Sequence, residues 1–233
     1  MLLRILIGLP LAGVAFVGTS YATGQHVYAA TCSSFASYQV GAYNLNLSNS
    51  GVQAWISRYN PRVCGASNAA SSAWVMMGNG TEFAQVGWAK EYNWSSAYVY
   101  YFWESNATNG PQKIELVPNP GSGGGDTYTV YTNGSGHTLF IINGTGYANQ
   151  TLNFSPTRVY YAGETHYEQD QFPGDTNYHV EFDAPEYLYN GSWNLFDPQG
   201  SNELNAGKYS WISSSYPGND YFYVWDNRYS SQY

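Results

Sequence analysis

Ser71-Ser72-Ala73-Trp74-Val75-Met76-Met77-Gly78-Asn79-Gly80-Thr81-Glu82-Phe83-Ala84-Gln85-Val86-Gly87-Trp88 is the stretch on which the fold turns. Residues 72–77 and 82–90 read as two strands, because β-branched and aromatic residues alternate with small or polar ones. Between them, Gly78-Asn79-Gly80 supplies residues that accept the backbone angles of a tight turn. The pair is therefore a hairpin. Alternation puts Phe83, Gln85 and Gly87 on one face, with Ala84, Val86 and Trp88 on the other. A glutamine beside a glycine on a strand face has an amide that nothing covers.

The same pattern runs outward in both directions. Strands are predicted near 51–58, 96–103, 113–117, 126–132, 137–143, 147–153, 157–166, 178–183 and 187–196. Asn109-Gly110-Pro111, Asn133-Gly134-Ser135-Gly136 and Asn143-Gly144 punctuate them. Long amphipathic stretches of 3.6 period with caps are absent. The expectation is an all-β fold, an antiparallel two-sheet β-sandwich of the jelly-roll or concanavalin-like kind. Pro118-Asn119-Pro120-Gly121-Ser122-Gly123-Gly124-Gly125 reads as a long loop within one domain, since neither half has a complete set of strands. After residue 200 the pattern weakens into a Tyr- and Ser-rich segment, 200–233, that reads as a last pair of strands or an exposed terminus.

Met1-Leu2-Leu3-Arg4 and the apolar run from Ile5 to Val17 have the form of a secretory signal peptide, with cleavage expected after Ala22 or Ala29. The expected division is 1–29 as signal peptide and 30–233 as one domain, secreted to the extracellular side and not membrane-bound once the signal is removed. In an exported chain the only two cysteines, Cys32 and Cys64, are expected to form one disulfide. Nine N-x-[ST] sequons fit a glycoprotein. The formal net charge is −8, yet only 10% of residues are charged. Eight Lys and Arg in the whole chain are too few for a nucleic-acid footprint. So sparse a charge suits acid conditions, where protonation of paired carboxylates otherwise drives unfolding.

A second segment joins the hairpin in carrying chemistry. In Val159-Tyr160-Tyr161-Ala162-Gly163-Glu164-Thr165-His166, alternation places Tyr160, Ala162, Glu164 and His166 on one face. A carboxylate flanked by a small and an aromatic residue is a candidate tuned acid or base. Together these two segments resemble the paired active-site strands of the glutamic peptidases, both the fungal Gln/Glu type and the neprosin type. Gly51-Val52-Gln53-Ala54-Trp55-Ile56 running to Pro61-Arg62-Val63 also resembles the neprosin opening. The resemblance spans roughly residues 51–170. It implies a secreted, acid-active endopeptidase without cofactor or metal, acting on polypeptides, with Gln85 and Glu164 as catalytic dyad and Trp74, Tyr160 and His166 on the substrate side. Glu164 would activate a water and Gln85 would hold the oxyanion. Taken alone, His166 reads as a structural or pocket-edge residue.

Two other classes compete. The Tyr and Trp content, 24 and 8, would serve a non-catalytic carbohydrate- or surface-binding sandwich. Glu181-Phe182-Asp183-Ala184-Pro185-Glu186 has the E-x-D-x-x-E spacing of jelly-roll glycoside hydrolases, although Pro185 falls where the strand should continue. Eight of the sixteen carboxylates lie between Glu164 and Asp197, which makes such spacings common there by chance. Asp170 and Asp175, around Pro173-Gly174, could offer loop oxygens to Ca²⁺, but no EF-hand spacing accompanies them.

Overall fold

The computed structural model describes residues 31–92, 99–106, 113–118, 124–152, 154–198, 202–204 and 208–232. The expected leader, its cleavage points, most of the 118–125 loop and the sequons at Asn93 and Asn153 lie outside these residues. Fifteen strands are described, all in antiparallel pairs: β1 (Tyr38–Asn44), β2 (Gly51–Ser57), β3 (Ala70–Gly78), β4 (Phe83–Glu91), β5 (Tyr100–Asn106), β6 (Lys113–Pro118), β7 (Gly125–Thr132), β8 (His137–Ile142), β9 (Thr145–Thr151), β10 (Arg158–Thr165), β11 (Val180–Tyr189), β12 (Ser192–Leu195), β13 (Asn202–Leu204), β14 (Ile212–Ser215) and β15 (Tyr221–Asp226). The first sheet runs β13-β1-β10-β3-β4-β5-β6. The second runs β14-β15-β11-β2-β7-β8-β9, with β12 added on β11. Among the described residues no helix is long and apolar enough to cross a membrane.

The two-sheet sandwich follows from the alternation. Ala73, Val75 and Met77 on β3, Ala84, Val86 and Trp88 on β4, and Val159 and Tyr161 on β10 face the second sheet. There they pack with Val52, Ala54 and Ile56 of β2, Tyr128 and Val130 of β7, and Phe182 and Phe222. Trp103 of β5 meets Phe140 of β8 at 4.7 Å and Tyr101 meets Tyr128 of β7 at 6.0 Å, so aromatic pairs weld the layers, while Phe182 stacks on Phe222 at 4.6 Å between neighbouring strands of the second sheet. Trp88 is wholly buried and donates its indole N–H to the Ser57 carbonyl at 3.0 Å. Truncating it to Ala would cost roughly 3–5 kcal/mol.

The hairpin that decides the fold closes as its residues require. Asn79 Oδ1 accepts the backbone N–H groups of Thr81 and Glu82, and Gly80 takes φ +103° with the Arg158 guanidinium packed against it. Several expected boundaries move. Of the expected strand 96–103, residues 96–98 lie outside the described residues, and β5 runs past its expected end to Asn106. The 178–183 and 187–196 pieces become one long strand, β11, plus a short hairpin partner, β12. Pro185 does not end β11. A bulge between Asp183 and Glu186, with Ala184 at φ +45°, absorbs it and the strand continues. The C-terminal segment forms strands β13 to β15, the last of which pairs with β11 inside the second sheet. β1, with no strand expected there, lies between β13 and β10.

Cys32 and Cys64 form the expected disulfide. It ties the chain ahead of β1 to the segment entering β3. Asp170 reinforces that junction: its buried carboxylate accepts the N–H groups of Cys64, Ala70 and Tyr167. Asp175 is likewise engaged, by the Tyr59 hydroxyl and the N–H groups of Asn177 and Tyr178. These carboxylates serve as backbone caps, so the Ca²⁺ reading loses its ligands. No group of three metal-ligating side chains occurs among the described residues.

Candidate active site

Side chains on the outer face of the first sheet, turned away from the inter-sheet core, form a second cluster: Trp74, Met76, Phe83, Ala89, Phe102, Tyr160 and Ala162, with Tyr43 packed against it. Ladder register arranges this face in rows. Gly41, Ala162, Trp74, Gly87 and Phe102 lie opposite one another across β1, β10, β3, β4 and β5. On one side of that row come Gln39, Glu164, Ser72, Ala89 and Tyr100. On the other come Tyr43, Tyr160, Met76, Gln85 and Glu104. The central row is narrow because Gly41 and Gly87 carry no side chain. A Cβ on Gly87 would fall 2.1 Å from the Ala73 carbonyl oxygen and 2.8 Å from Trp74 Cα.

Glu164 and Gln85 thus share one face of one sheet, on either side of the row through Trp74. Each is 3% exposed. They do not bond to each other. The Glu164 carboxylate accepts Ser37 Oγ at 2.7 Å and Gln39 Nε2 at 3.0 Å on one oxygen, and Trp74 Nε1 at 3.0 Å on the other. His166 Nε2 stands 3.8 Å from it, while Nδ1 lies 2.8 Å from the Asn68 carbonyl oxygen. Gln85 Nε2 donates to Glu104 Oε2 at 2.6 Å, and its buried Oε1 has no hydrogen-bond partner. Tyr160 stacks on Tyr43, with ring centroids 5.7 Å apart and an 11° interplanar angle.

Two residues of this face go beyond the expected set. Burial pushes the Glu104 carboxyl up to about 7, helped by the negative charge of Glu164 and opposed by the Gln85 hydrogen bond. Glu91 is pushed up to about 8 by burial and then by the charge of Glu104. The face therefore carries three carboxylates linked in series, Glu91 to Glu104 and Glu104 to Glu164, of which Glu91 and Glu104 hold their protons through the mildly acid range. Glu91 was within reach of the sequence, since it falls on the Gln85 face at two-residue steps. Glu104 needs the β4–β5 register, and Ser37 and Gln39 need β1.

Chemically, such a face can hold a carboxylate with fixed orientation, an amide N–H and a protonated carboxyl within one enclosed patch. The rival acidic constellation is elsewhere. Glu181, Asp183 and Glu186 lie on β11, in the second sheet.

No protein-family model matches the sequence, and no curated protein matches it. Solved structures do. Scytalido-glutamic peptidase bound to a peptide-based transition state analog superposes with a TM-score of 0.61 at 13% identity, covering 83% of this chain and 100% of that one. The fold is that of the glutamic peptidases. The same peptidase with a transition state analog inhibitor gives a TM-score of 0.59 at 14% identity, with the same coverage. SCP-B, a member of the Eqolisin family of peptidases, in complex with the tripeptide Ala-Ile-His, gives 0.58 at 13% identity over 83% and 100% of the two chains. The likeness is to the fold of glutamic peptidases as a group and does not single out the neprosin type.

Proposed function

We propose that the chain is an acid-acting endopeptidase of the glutamic type, secreted, with the outer face of the first sheet as its working surface. The observation that carries this reading is the buried Gln85–Glu104 hydrogen bond lying within the field of Glu164, on the sheet face that does not build the core. In this reading a peptide crosses the row of Ala162, Trp74 and Gly87, where the glycine lets β3 and β4 approach closely and no side chain stands up from β4. Glu164, as the carboxylate, takes a proton from a water that attacks the scissile carbonyl. The Gln85 amide then donates to the developing oxyanion, and protonated Glu164 passes its proton to the leaving amine. Trp74 and Gln39 fix the carboxylate, Tyr160 lines the apolar side, and His166 borders the site through Glu164.

A second assignment within the same reaction has its own support. Glu104 is bonded directly to Gln85 and keeps its proton to about pH 7, which suits a proton donor to the leaving amine. Cleavage of a denatured protein substrate at pH 3–5 tests both. Glu164→Gln should abolish cleavage, and Gln85→Ala should reduce kcat by roughly 10²–10³, the usual loss of an oxyanion donor. Loss with Glu104→Gln but not with Glu164→Gln would move the acid role to Glu104. Full activity in all three folded variants would end the peptidase reading.

A further inference from the structure

The outer face of the second sheet carries an ordered row of aromatic and acidic side chains that the peptidase reading leaves unused. On β15, Tyr221, Tyr223 and Trp225 point outward while Phe222 and Val224 enter the core. Two-residue steps space such side chains by about 6.8 Å, the scale of one sugar ring. Each has a polar partner on β11 or in the residue just ahead of it. Tyr221 lies opposite Asp183 and Tyr223 opposite Glu181, whose Oε1 accepts the Tyr223 hydroxyl at 3.4 Å. Trp225 stacks on His179 at 3.9 Å and 13°.

β2 extends the row. Trp55 lies across from Asp183, and its indole is pressed over Gly125, where a Cβ would meet the ring at 2.1 Å. That glycine lets the indole lie along the sheet instead of standing off it. The β11 bulge adds an acceptor. Three residues from Asp183 to Glu186 span the two from Trp55 to Gln53, so Glu186 stays on the face of Glu181 and Asp183. Gln53 donates to Glu186 and accepts the Thr129 hydroxyl at 3.1 Å. Asp183 is exposed and the aromatic rings are part-exposed.

We infer that this face binds a neutral polysaccharide. Ring faces take the C–H face of a sugar, while the carboxylates and the amide exchange hydrogen bonds with its hydroxyls. Charge sets the class. No Lys or Arg occurs on β2, β7, β11, β14 or β15, so nothing on these strands offsets the carboxylates against a sulfated or uronic chain. The row binds without cleaving. Glu181 is held by Tyr223 and Glu186 by Gln53, so both carboxylates are committed to neighbours in the row.

Native electrophoresis at pH 5 through gels containing mixed-linkage β-glucan, galactomannan or arabinoxylan tests this, with a sulfated galactan gel beside them. The chain should be retarded in at least one neutral gel and not in the sulfated one. Asp183→Ala, at an exposed position, and Tyr223→Ala should each weaken retardation about tenfold or more, with unchanged thermal transitions and unchanged peptide cleavage. No retardation in any neutral gel, retardation in the sulfated gel only, or retardation untouched by both substitutions would overturn the inference. Peptide cleavage is read separately, so the failure of either reading leaves the other standing.

Discussion

Raising the pH from 4 to 8 should destabilise this protein, and Glu104, buried beside Gln85, supplies one definite part of that loss. In the folded chain its carboxyl is pushed from an ordinary 4.5 up to about 7. The unfolded chain loses that proton first, so the stabilisation is complete below about 4.5 and disappears as the pH climbs through about 7. A carboxyl raised that far contributes about 3 kcal/mol. That is a large share of the 5–15 kcal/mol by which a domain is ordinarily stable. Glu91, raised to about 8, and Asp170, raised to about 6, change in the same direction. His179, which burial pulls down, works against them over part of the range but is more exposed. Urea unfolding at pH 4, 6 and 8 measures the effect. At a slope near 2–3 kcal/mol per molar, 3 kcal/mol moves the midpoint by about 1 M or more. In Glu104→Gln the Gln85 hydrogen bond keeps an acceptor but nothing titrates, so the fall with pH should shrink by that amount. A midpoint that stays level or rises between pH 4 and 8, or a Glu104→Gln variant with the wild-type pH dependence, would refute the reasoning.

Three further outcomes are expected. Gly87→Ala forces a methyl group into the Ala73 carbonyl and should cost about 1–3 kcal/mol in chemical unfolding; an unchanged midpoint would mean that β3 and β4 separate more easily than their register implies. Trp74→Phe keeps most of the ring but removes the N–H that Glu164 accepts, and should cost about 1.5–3 kcal/mol while lowering acid proteolysis. Replacing both cysteines by Ser opens a loop of 32 residues and should cost about 3–4 kcal/mol, read as a lower thermal transition.

The outline of the fold was legible because alternation decides it. Once 83–88 alternates small or apolar with polar, one face must build a core and the other must do something else, and the hairpin turn follows from Asn79 and Gly80. Register was not legible. The strand faces of Gln85 and Glu164 were readable from alternation, but the burial of Gln85 against Glu104, and the Trp74 row that separates it from Glu164, depend on how β10, β3, β4 and β5 slide against one another. The same holds for Glu104, which only the β4–β5 ladder brings to Gln85. β1 escaped because Gln39-Val40-Gly41-Ala42-Tyr43 is short and glycine-broken, its strand state set by neighbours on both sides. Pro185 misled in the opposite direction: a positive φ at Ala184 accommodates it, a tertiary adjustment that no local rule foretells.

The disulfide has a consequence for the order in which the molecule comes apart. Ser37 and Gln39, two of the three donors to Glu164, follow Cys32 by only a few residues, and Ala36 donates its N–H to the His166 carbonyl. Much of the rest of the stretch before β1 is held by the sulfur bridge and by Ser33 bonding to Gln169. In a thiol-rich compartment this stretch would fray first, while the aromatic pairs between the sheets kept the layers together. The candidate site would then lose its shape ahead of the fold, and a reduced chain could look native by every probe of its core while holding a carboxylate released from its partners.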